Sequence, residues 1–260
     1  MPVARDPRFR APSRGRRFPT ILLALVAVCL LLPGASAASS RQDDAEANDL
    51  LQRAAETMAG LDSFHFELST PRGQTLFMEN LELAGLGGDV QRPDRFRANV
   101  AARAAIVELS VRVVGIGTRL WVTNPMSQDE AFQEIDLGQG TADGGTDGAA
   151  LVDLLNPDRI LLQAVERIDE PTVVGEDEID GTTVTRVDGT VDLSQIRADG
   201  TPVPGLLTDD PLPVSIWIDD AGRVVRLELD GPLTTAEPPD VLRRLDLSAF
   251  DEPIDIQPPV

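Results

Sequence analysis

Residues 213–231 read PVSIWIDDAGRVVRLELDG, and this stretch decides the fold. Aliphatic side chains alternate with polar or aromatic ones on both sides of a turn at residues 219–222, which is the pattern of a β-hairpin. The aliphatic positions are Val214, Ile216, Ile218, Val225, Leu227 and Leu229. A period of two places all six on one face of the ribbon, and two strands cannot bury that face alone. The sequence therefore predicts that other elements cover it.

Length and charge narrow the possible functions. The chain has 260 residues, of which 42% are apolar, so it can build a sizeable core. Its formal net charge is -20, and all of its basic residues are arginines. An acidic protein is repelled by phosphate groups, which argues against nucleic acid and against electrostatic docking on anionic lipid headgroups.

The N-terminus has the pattern of a secretory signal peptide. Basic residues precede an apolar run at residues 21–32, and the small residues at 35–37 offer a cleavage site. A membrane span needs about 20 apolar residues, so this shorter run favours export with cleavage over a retained anchor. We expect a signal peptide at residues 1–37, a flexible segment at 38–44 and a single domain at 45–260.

Cys29, the one cysteine, lies inside the apolar run. Lipoprotein signals place a small residue before the acylated cysteine and a polar spacer after it, whereas here Val28 precedes Cys29 and Leu30 follows it. This context disfavours lipid anchoring and favours an exported protein of the extracellular space or cell envelope. The cleaved chain would have no thiol for a disulfide or a metal.

Two helices and a series of short strands are predicted for the remainder. Apolar residues recur at helical spacing over residues 43–59 and 149–168, and Asn156 can cap a helix that begins at Pro157. Short connections between strands favour an antiparallel meander. An acidic turn is expected at 176–180 and a mobile loop at 138–148. Strands are expected near residues 64–68, 75–83, 95–100, 105–114, 119–123, 172–174, 181–191, 244–250 and 253–257.

The sequence offers little for catalysis or for a metal. His65, the only histidine, lies between two phenylalanines on the outward side of a strand, where we expect a surface side chain rather than a general base. The loop at 138–148 fits parts of a calcium-binding pattern, but Gly145 and Leu154 occupy positions that need ligands. Glycine-rich nucleotide-binding motifs are absent. We therefore predict a protein that is not an enzyme and needs no cofactor or metal.

Three further stretches resemble a known family. Residues 155–158 read LNPD, residues 180–191 read DGTTVTRVDGTV, and the strand at 213–219 is followed near the C-terminus by LSAF and PIDIQPP. In this order they resemble the mycobacterial LppX/LprG family of lipid-binding envelope lipoproteins, with a LolA/LolB-like fold, over nearly all of residues 45–259. The resemblance implies an α+β fold in which a curved antiparallel half-barrel sheet, with helices packed on its concave face, encloses an apolar cavity.

The same resemblance implies a carrier that holds acylated lipid or glycolipid and moves it through the cell envelope. Because the surface is acidic, we expect membrane contact to be hydrophobic and transient; the sequence does not identify an envelope transport partner. Each buried methylene contributes roughly 0.8 kcal/mol, so acyl chains need no charged partner. A solid core that serves a protein-binding function stays open as an alternative, because periodicity does not report interior volume. The candidate lipid-binding residues are the inward rows and the helical cover, namely Val107, Leu109, Val111, Val113, Leu120, Val122, Leu154, Leu155, Ile160, Leu161, Ile216, Ile218, Leu227 and Leu229.

Overall fold

The fold consists of two helices and a series of strands, seen in a computed structural model that describes residues 36–78, 81–125, 131–136, 157–195, 197–198, 201–202, 210–234 and 237–259. The helices are α1 (Ser36–Gly60) and α2 (Pro157–Glu166), and a short 3-10 turn lies at Leu193–Gln195. The strands are β1 (Ser63–Arg72), β2 (Leu76–Met78), β3 (Leu81–Gln91), β4 (Arg95–Ala104), β5 (Val107–Ile116), β6 (Arg119–Thr123), β7 (Phe132–Asp136), β8 (Ile168–Ile179), β9 (Thr182–Val191), β10 (Arg197–Ala198), β11 (Thr201–Pro202), β12 (Leu212–Asp219), β13 (Val224–Asp230) and β14 (Leu242–Ser248).

One large antiparallel sheet dominates the described residues. Its strands follow the order β7-β6-β5-β4-β3-β1-β14-β13-β12-β9-β8, with β2 joined to β3 outside this order. The two end strands, β7 and β8, leave the sheet open, and β10 and β11 form a small separate pair. The predicted α+β class, with helices on an open antiparallel sheet, is confirmed.

The hairpin of β12 and β13 lies within this sheet. Ile216 pairs with Leu227 and Val214 pairs with Leu229, so these four side chains share a face as predicted. The register then shifts, and Ile218 pairs with Val224 instead of Val225. Such a bulge places two residues of one strand opposite one of the other. The prediction that Val225 completes the apolar row is therefore wrong, since fully buried Val224 takes that place.

Both helices pack on the face of the sheet that carries Phe66 and Ile216, which we call the inner face. Ala47, Leu51 and Met58 of α1 join Leu161 and Val165 of α2 in one hydrophobic cluster with the inner-face side chains. Pro157 begins α2 as predicted, because its ring fixes a helical φ and its missing N–H has no helical partner at that position. The helices supply the cover that the hairpin requires.

Three glycines on the inner face allow close contacts between neighbouring strands. A Cβ on Gly88 would lie 2.8 Å from the Cα of Ala98, and closer still to the carbonyl oxygen of Arg97. A Cβ on Gly115 or on Gly189 would likewise collide with the neighbouring strand. Neighbouring strands come this near only where the chain has no side chain on that side. These three positions therefore have no room for a side chain on the inner face.

Several boundaries differ from the sequence predictions. Helix α1 begins at Ser36 rather than near residue 43, so the expected flexible segment at 38–44 is helical; no proline or glycine interrupts residues 35–59. The predicted strand at 75–83 is divided between β2 and the longer β3. The helix predicted over 149–168 ends at Glu166, and its first part, like the loop at 138–148, lies outside the described residues.

Three other predictions need correction. Residues 176–179, expected in an acidic turn, extend β8, because an edge strand can expose its charged side chains to water. Residues 253–257 form no strand; the N–H of Ile256 donates to the Gln91 side chain and its carbonyl accepts from Arg95. The sequence also failed to predict β7, whose residues are mostly polar and exposed.

Candidate functional site

A row of half-buried apolar side chains crosses the inner face from strand to strand. Cross-strand pairing joins Val111 to Val100, Val100 to Leu86 and Leu86 to Leu68. The row continues from Leu68 through β14 and β13 to fully buried Ile216. Its half-buried members, which we call the inner row, are Val111, Val100, Leu86, Leu68, Leu245 and Leu227.

The next row along the same strands is covered. It runs through Val113, Ala98, Phe66 and Leu247, all of them buried in the cluster that includes α1 and α2. The inner row is therefore less completely covered than this neighbouring row. It leaves apolar surface in partial contact with solvent on six neighbouring strands.

The structure places the predicted sheet residues on one face. Four of them are fully buried in the core: Val113, Leu120, Ile216 and Ile218. Half-buried positions are occupied by Leu109, Val111, Val122, Leu227 and Leu229, whereas Val107, beside the turn that precedes β5, is 52% exposed.

The predicted helical residues are described less completely. Leu161 is 2% exposed and contributes to the core. Ile160 lies in α2, although its side chain is outside the described part of the structure, as are residues Leu154 and Leu155. Their lipid-binding role stays a prediction.

The sequence analysis missed four members of the inner row, namely Val100, Leu86, Leu68 and Leu245. Leu86 has glycines on both sides, and Val100 lies among small residues, so neither belongs to an obvious alternating aliphatic run. Residues two and four positions apart in a strand share a face. This rule would have placed Val100 on the same face as buried Phe96, and Leu68 on the same face as Phe64.

The two helices leave a groove of about 440 Å³ between them. Its apolar lining includes Leu51 and Ala55 of α1, Val165 near the end of α2, and Ile168 at the start of β8. These side chains belong to the cluster that covers the inner face, so the groove is continuous with that apolar region. Polar side chains line the groove as well, from Asn48, Gln52, Glu56 and Glu166.

A buried ion pair adjoins the half-buried region. Arg243 pairs with Leu229 across β14 and β13, and its Nη2 atom lies 2.5 Å from Oε1 of Glu237 without the geometry of a hydrogen bond. The arginine side chain is 5% exposed and the glutamate side chain 1%. Glu237 also accepts hydrogen bonds from the backbone N–H groups of Leu76 and Leu233. The carboxylate thus joins three segments of chain.

Comparison with known families identifies the protein's relatives. The LppX_LprAFG lipoprotein family matches residues 46–256, which is most of the chain. The chain belongs to this family. The resemblance inferred from the sequence is confirmed.

Named members of the family are similar over most of their length. "Putative diacylated glycolipid transporter LprF" of Mycobacterium tuberculosis is 27% identical over 221 residues, which cover 81% of this chain and 80% of the relative. The protein of the same name from Mycobacterium bovis has the same identity and coverage.

Solved structures of family members share the fold. The crystal structure of LprF from Mycobacterium bovis matches with a TM-score of 0.57 and 22% identity, covering 82% of this chain and 97% of that structure. Lipoprotein LppX from Mycobacterium tuberculosis matches with a TM-score of 0.52 and 17% identity, covering 82% of this chain and all of that structure. The likeness establishes the architecture of the family in this chain.

The polar side chains of this family member form no metal centre within the described residues. None of its described helices is both long enough and apolar enough to cross a bilayer. His65 lies on the outer side of β1, where its Nδ1 atom is 2.8 Å from Oδ1 of Asp89. Partial burial opposes ionisation of Asp89, but hydrogen bonds from His65 and Arg97 outweigh that effect and lower its pKa.

Trp217 is held on the outer face by acidic and basic neighbours. Its indole N–H donates to Oδ2 of Asp177 at 3.0 Å, and the Arg186 guanidinium lies 5.2 Å from the centre of its ring. The hydrogen bonds from Trp217 and from the backbone N–H of Glu178 hold the pKa of Asp177 below its ordinary value. Ionised Asp177 therefore stabilises the fold above the unfolded-state pKa, and this contribution is lost as the pH falls through the folded-state pKa.

We expect the fluorescence of Trp217 to report this titration. Emission should stay constant as the pH falls to about 4 and change only below the ordinary aspartate pKa of about 3.9, since Asp177 stays ionised until then. The measurement is an emission titration of the wild type, with Trp217→Phe as the control that leaves the signal of Trp121. A transition of Trp217 centred above pH 4 would contradict the assignment.

Proposed function

We propose that this protein is an exported carrier that holds an acylated lipid or glycolipid against the inner face of its sheet and moves it through the cell envelope. The half-buried inner row is the observation that carries the proposal. Six aliphatic side chains on neighbouring strands keep partial solvent contact beside a covered core. A bound acyl chain would complete their burial.

The dimensions and chemistry of the inner row suit an acyl chain. Neighbouring strands lie about 4.8 Å apart, so a row across six strands spans roughly 24 Å. Each methylene removed from water contributes roughly 0.8 kcal/mol, which gives a long chain ample binding energy without a charged contact. A protein of net charge -20 has little to offer an anionic headgroup, and an apolar site requires none.

Further observations support the envelope role. The chain belongs to a lipoprotein family, and a relative bears the name of a diacylated glycolipid transporter. The groove between α1 and α2 adjoins the same apolar cluster, so an acyl chain can enter beside the helices without crossing the sheet. We infer that loading occurs during a transient contact with a membrane, and that the signal-like N-terminus directs export. Delivery would then be to a further partner in the envelope.

Replacing Leu227 with tryptophan should reduce lipid uptake. The larger side chain would occupy the space of at least two methylenes of ligand, whose loss corresponds to about tenfold weaker binding. Lipid content is measured by native mass spectrometry and by solvent extraction after incubation with a diacylated probe. Ile106→Trp is the matched control, because Ile106 is 97% exposed in the turn before β5 and touches no part of the row.

Three results would count against a carrier. The first is that the purified wild type contains no extractable lipid and takes up no acylated probe. The second is that Leu227→Trp binds the probe as tightly as Ile106→Trp. A third contradictory result would be a large loss of stability in Leu227→Trp with no change in uptake per folded molecule, as expected for a solid core. The protein would then be a binding module of the same fold.

A further inference from the structure

The outer face of the sheet carries a groove of about 540 Å³ that lies across the sheet from the apolar site. We call it the β3 groove, because it follows β3 where Gly85 and Gly87 have no side chains. Gly87 pairs with Glu67 of β1 and with Asn99 of β4, whose side chains point to the opposite side from Phe66 and Ala98. The groove therefore has a backbone floor and side-chain walls.

Three polar side chains in the walls have no partner. Glu67, Ser69 and Asn99 line the groove, and none of them makes a side-chain hydrogen bond or an ion pair within the described part of the chain. Together they offer carboxylate acceptors, a hydroxyl that can both donate and accept, and an amide with both functions. They stand on both sides of the glycine floor, on β1 and β4.

The rest of the wall combines an aromatic ring with paired charges. Phe132 of β7 is half-buried, and the Arg112 guanidinium lies 5.1 Å from the centre of its ring. At one end of the groove, the Asp89 carboxylate forms hydrogen bonds with the side chains of both His65 and Arg97. Positive charges thus stand beside negative ones, and the groove has no strong preference for either sign.

We propose that the β3 groove binds a neutral carbohydrate, as a short oligosaccharide. Hydroxyl groups of a sugar can donate to Glu67 and exchange hydrogen bonds with Asn99 and Ser69, which are the groups left unpaired. A glycine floor lets a sugar ring approach the backbone, and the groove volume lies in the usual range for small-molecule sites. An anionic ligand would be opposed by Glu67, which lacks a basic partner.

The side chains that would bind a sugar differ from those that would bind a lipid. Glu67, Ser69 and Asn99 lie on the opposite face of the sheet from the inner row and do not belong to the apolar cluster, although the groove lining also includes Leu68 and Leu86. Sugar binding and lipid uptake can therefore fail separately. A protein that binds sugars but no lipid would refute only the carrier, and the reverse result would refute only the β3 groove as a carbohydrate site.

The test is a titration of the isotopically labelled protein with maltose, cellobiose and lactose, followed by amide chemical shifts. We expect saturable shifts at Gly87 and Asn99 with at least one of these sugars, at concentrations up to about 10 mM. Gly87→Leu should abolish them, because its side chain fills the groove while its Cβ makes only ordinary contacts, the nearest at 3.5 Å. Asn99→Ala should weaken binding about tenfold, as expected when hydrogen bonds are lost.

Thr183→Leu, which introduces the same leucine side chain at an exposed position of β9 outside the groove, should leave the shifts unchanged. If Gly87→Leu proves unfolded by circular dichroism, Asn99→Ala alone decides the question. The proposal is overturned if no sugar gives saturable shifts, or if the groove variants bind as well as Thr183→Leu. It is also overturned if only charged sugars or an extended peptide, tested in the same way, produce the response.

Discussion

Replacing Gly88 with alanine is expected to lower the free energy of unfolding by about 3 kcal/mol, the upper part of the usual range for overpacking. The added Cβ would lie 2.8 Å from the Cα of Ala98 and closer to the carbonyl oxygen of Arg97. Both obstacles belong to the backbone of β4, which cannot rotate away as a side chain could. Relief requires the two strands to separate, and this would weaken their ladder of hydrogen bonds.

Gly85→Ala is the matched control, because a Cβ on Gly85 would have no atom within 4 Å. It removes a glycine from the same strand and so reproduces the change in the entropy of the unfolded chain. Urea denaturation of both variants measures the difference. Equal midpoints would show that β3 and β4 tolerate separation at Gly88, and that their close approach there does not contribute to stability.

The sequence analysis did not predict the close approach of β3 and β4 at Gly88. Alternation of aliphatic residues predicted the hairpin face at Ile216 and Leu227, because a side chain shows its orientation through its neighbours two positions away. Gly88 and Gly115 contribute no side chain to such a pattern, although they occupy inner-face positions. The alternation therefore indicated strands but could not indicate where neighbouring strands come close.

Two other segments were assigned wrongly from their local sequence patterns. The acidic residues 176–179 were interpreted as a turn, since charge runs are usual in loops, whereas the structure uses them in the edge strand β8. Apolar and polar residues alternate over 253–257 as they do in a strand. The backbone of Ile256, however, forms hydrogen bonds with the side chains of Gln91 and Arg95 and not with a neighbouring strand. In both places, position in the finished sheet decides the structure, and a local pattern contains no information about that position.

The sequence predicted which face carries the candidate site, but not how far the site extends on that face. The sheet residues chosen from alternation do share the inner face, which a period of two can establish strand by strand. The division between the covered row at Val113 and the half-buried row at Val111 depends on where α1 and α2 rest. That division distinguishes an apolar site from a core, and it arises from packing between elements far apart in sequence.

The ion pair of Arg243 and Glu237 is expected to give the second large effect. Glu237→Gln should lower the free energy of unfolding by about 3 kcal/mol, because it leaves the arginine charge buried without its partner. Glutamine has nearly the shape of glutamate, but its single carbonyl oxygen can accept from only one of the two backbone N–H groups, those of Leu76 and Leu233. The loss therefore combines the missing charge with one missing hydrogen bond. Thermal and urea denaturation give the value.

The double variant Glu237→Gln, Arg243→Met distinguishes a missing charge partner from a damaged loop. Methionine fills most of the volume of the arginine stem and removes the buried charge, so the pair of changes should recover most of the stability lost in the single variant. Arg243 also donates from Nη1 to the carbonyl oxygen of Gly231 at 2.9 Å, and the loss of this bond sets a limit on the recovery. If the double variant is as unstable as Glu237→Gln, the glutamate stabilises the fold through its contacts with Leu76 and Leu233 rather than through Arg243.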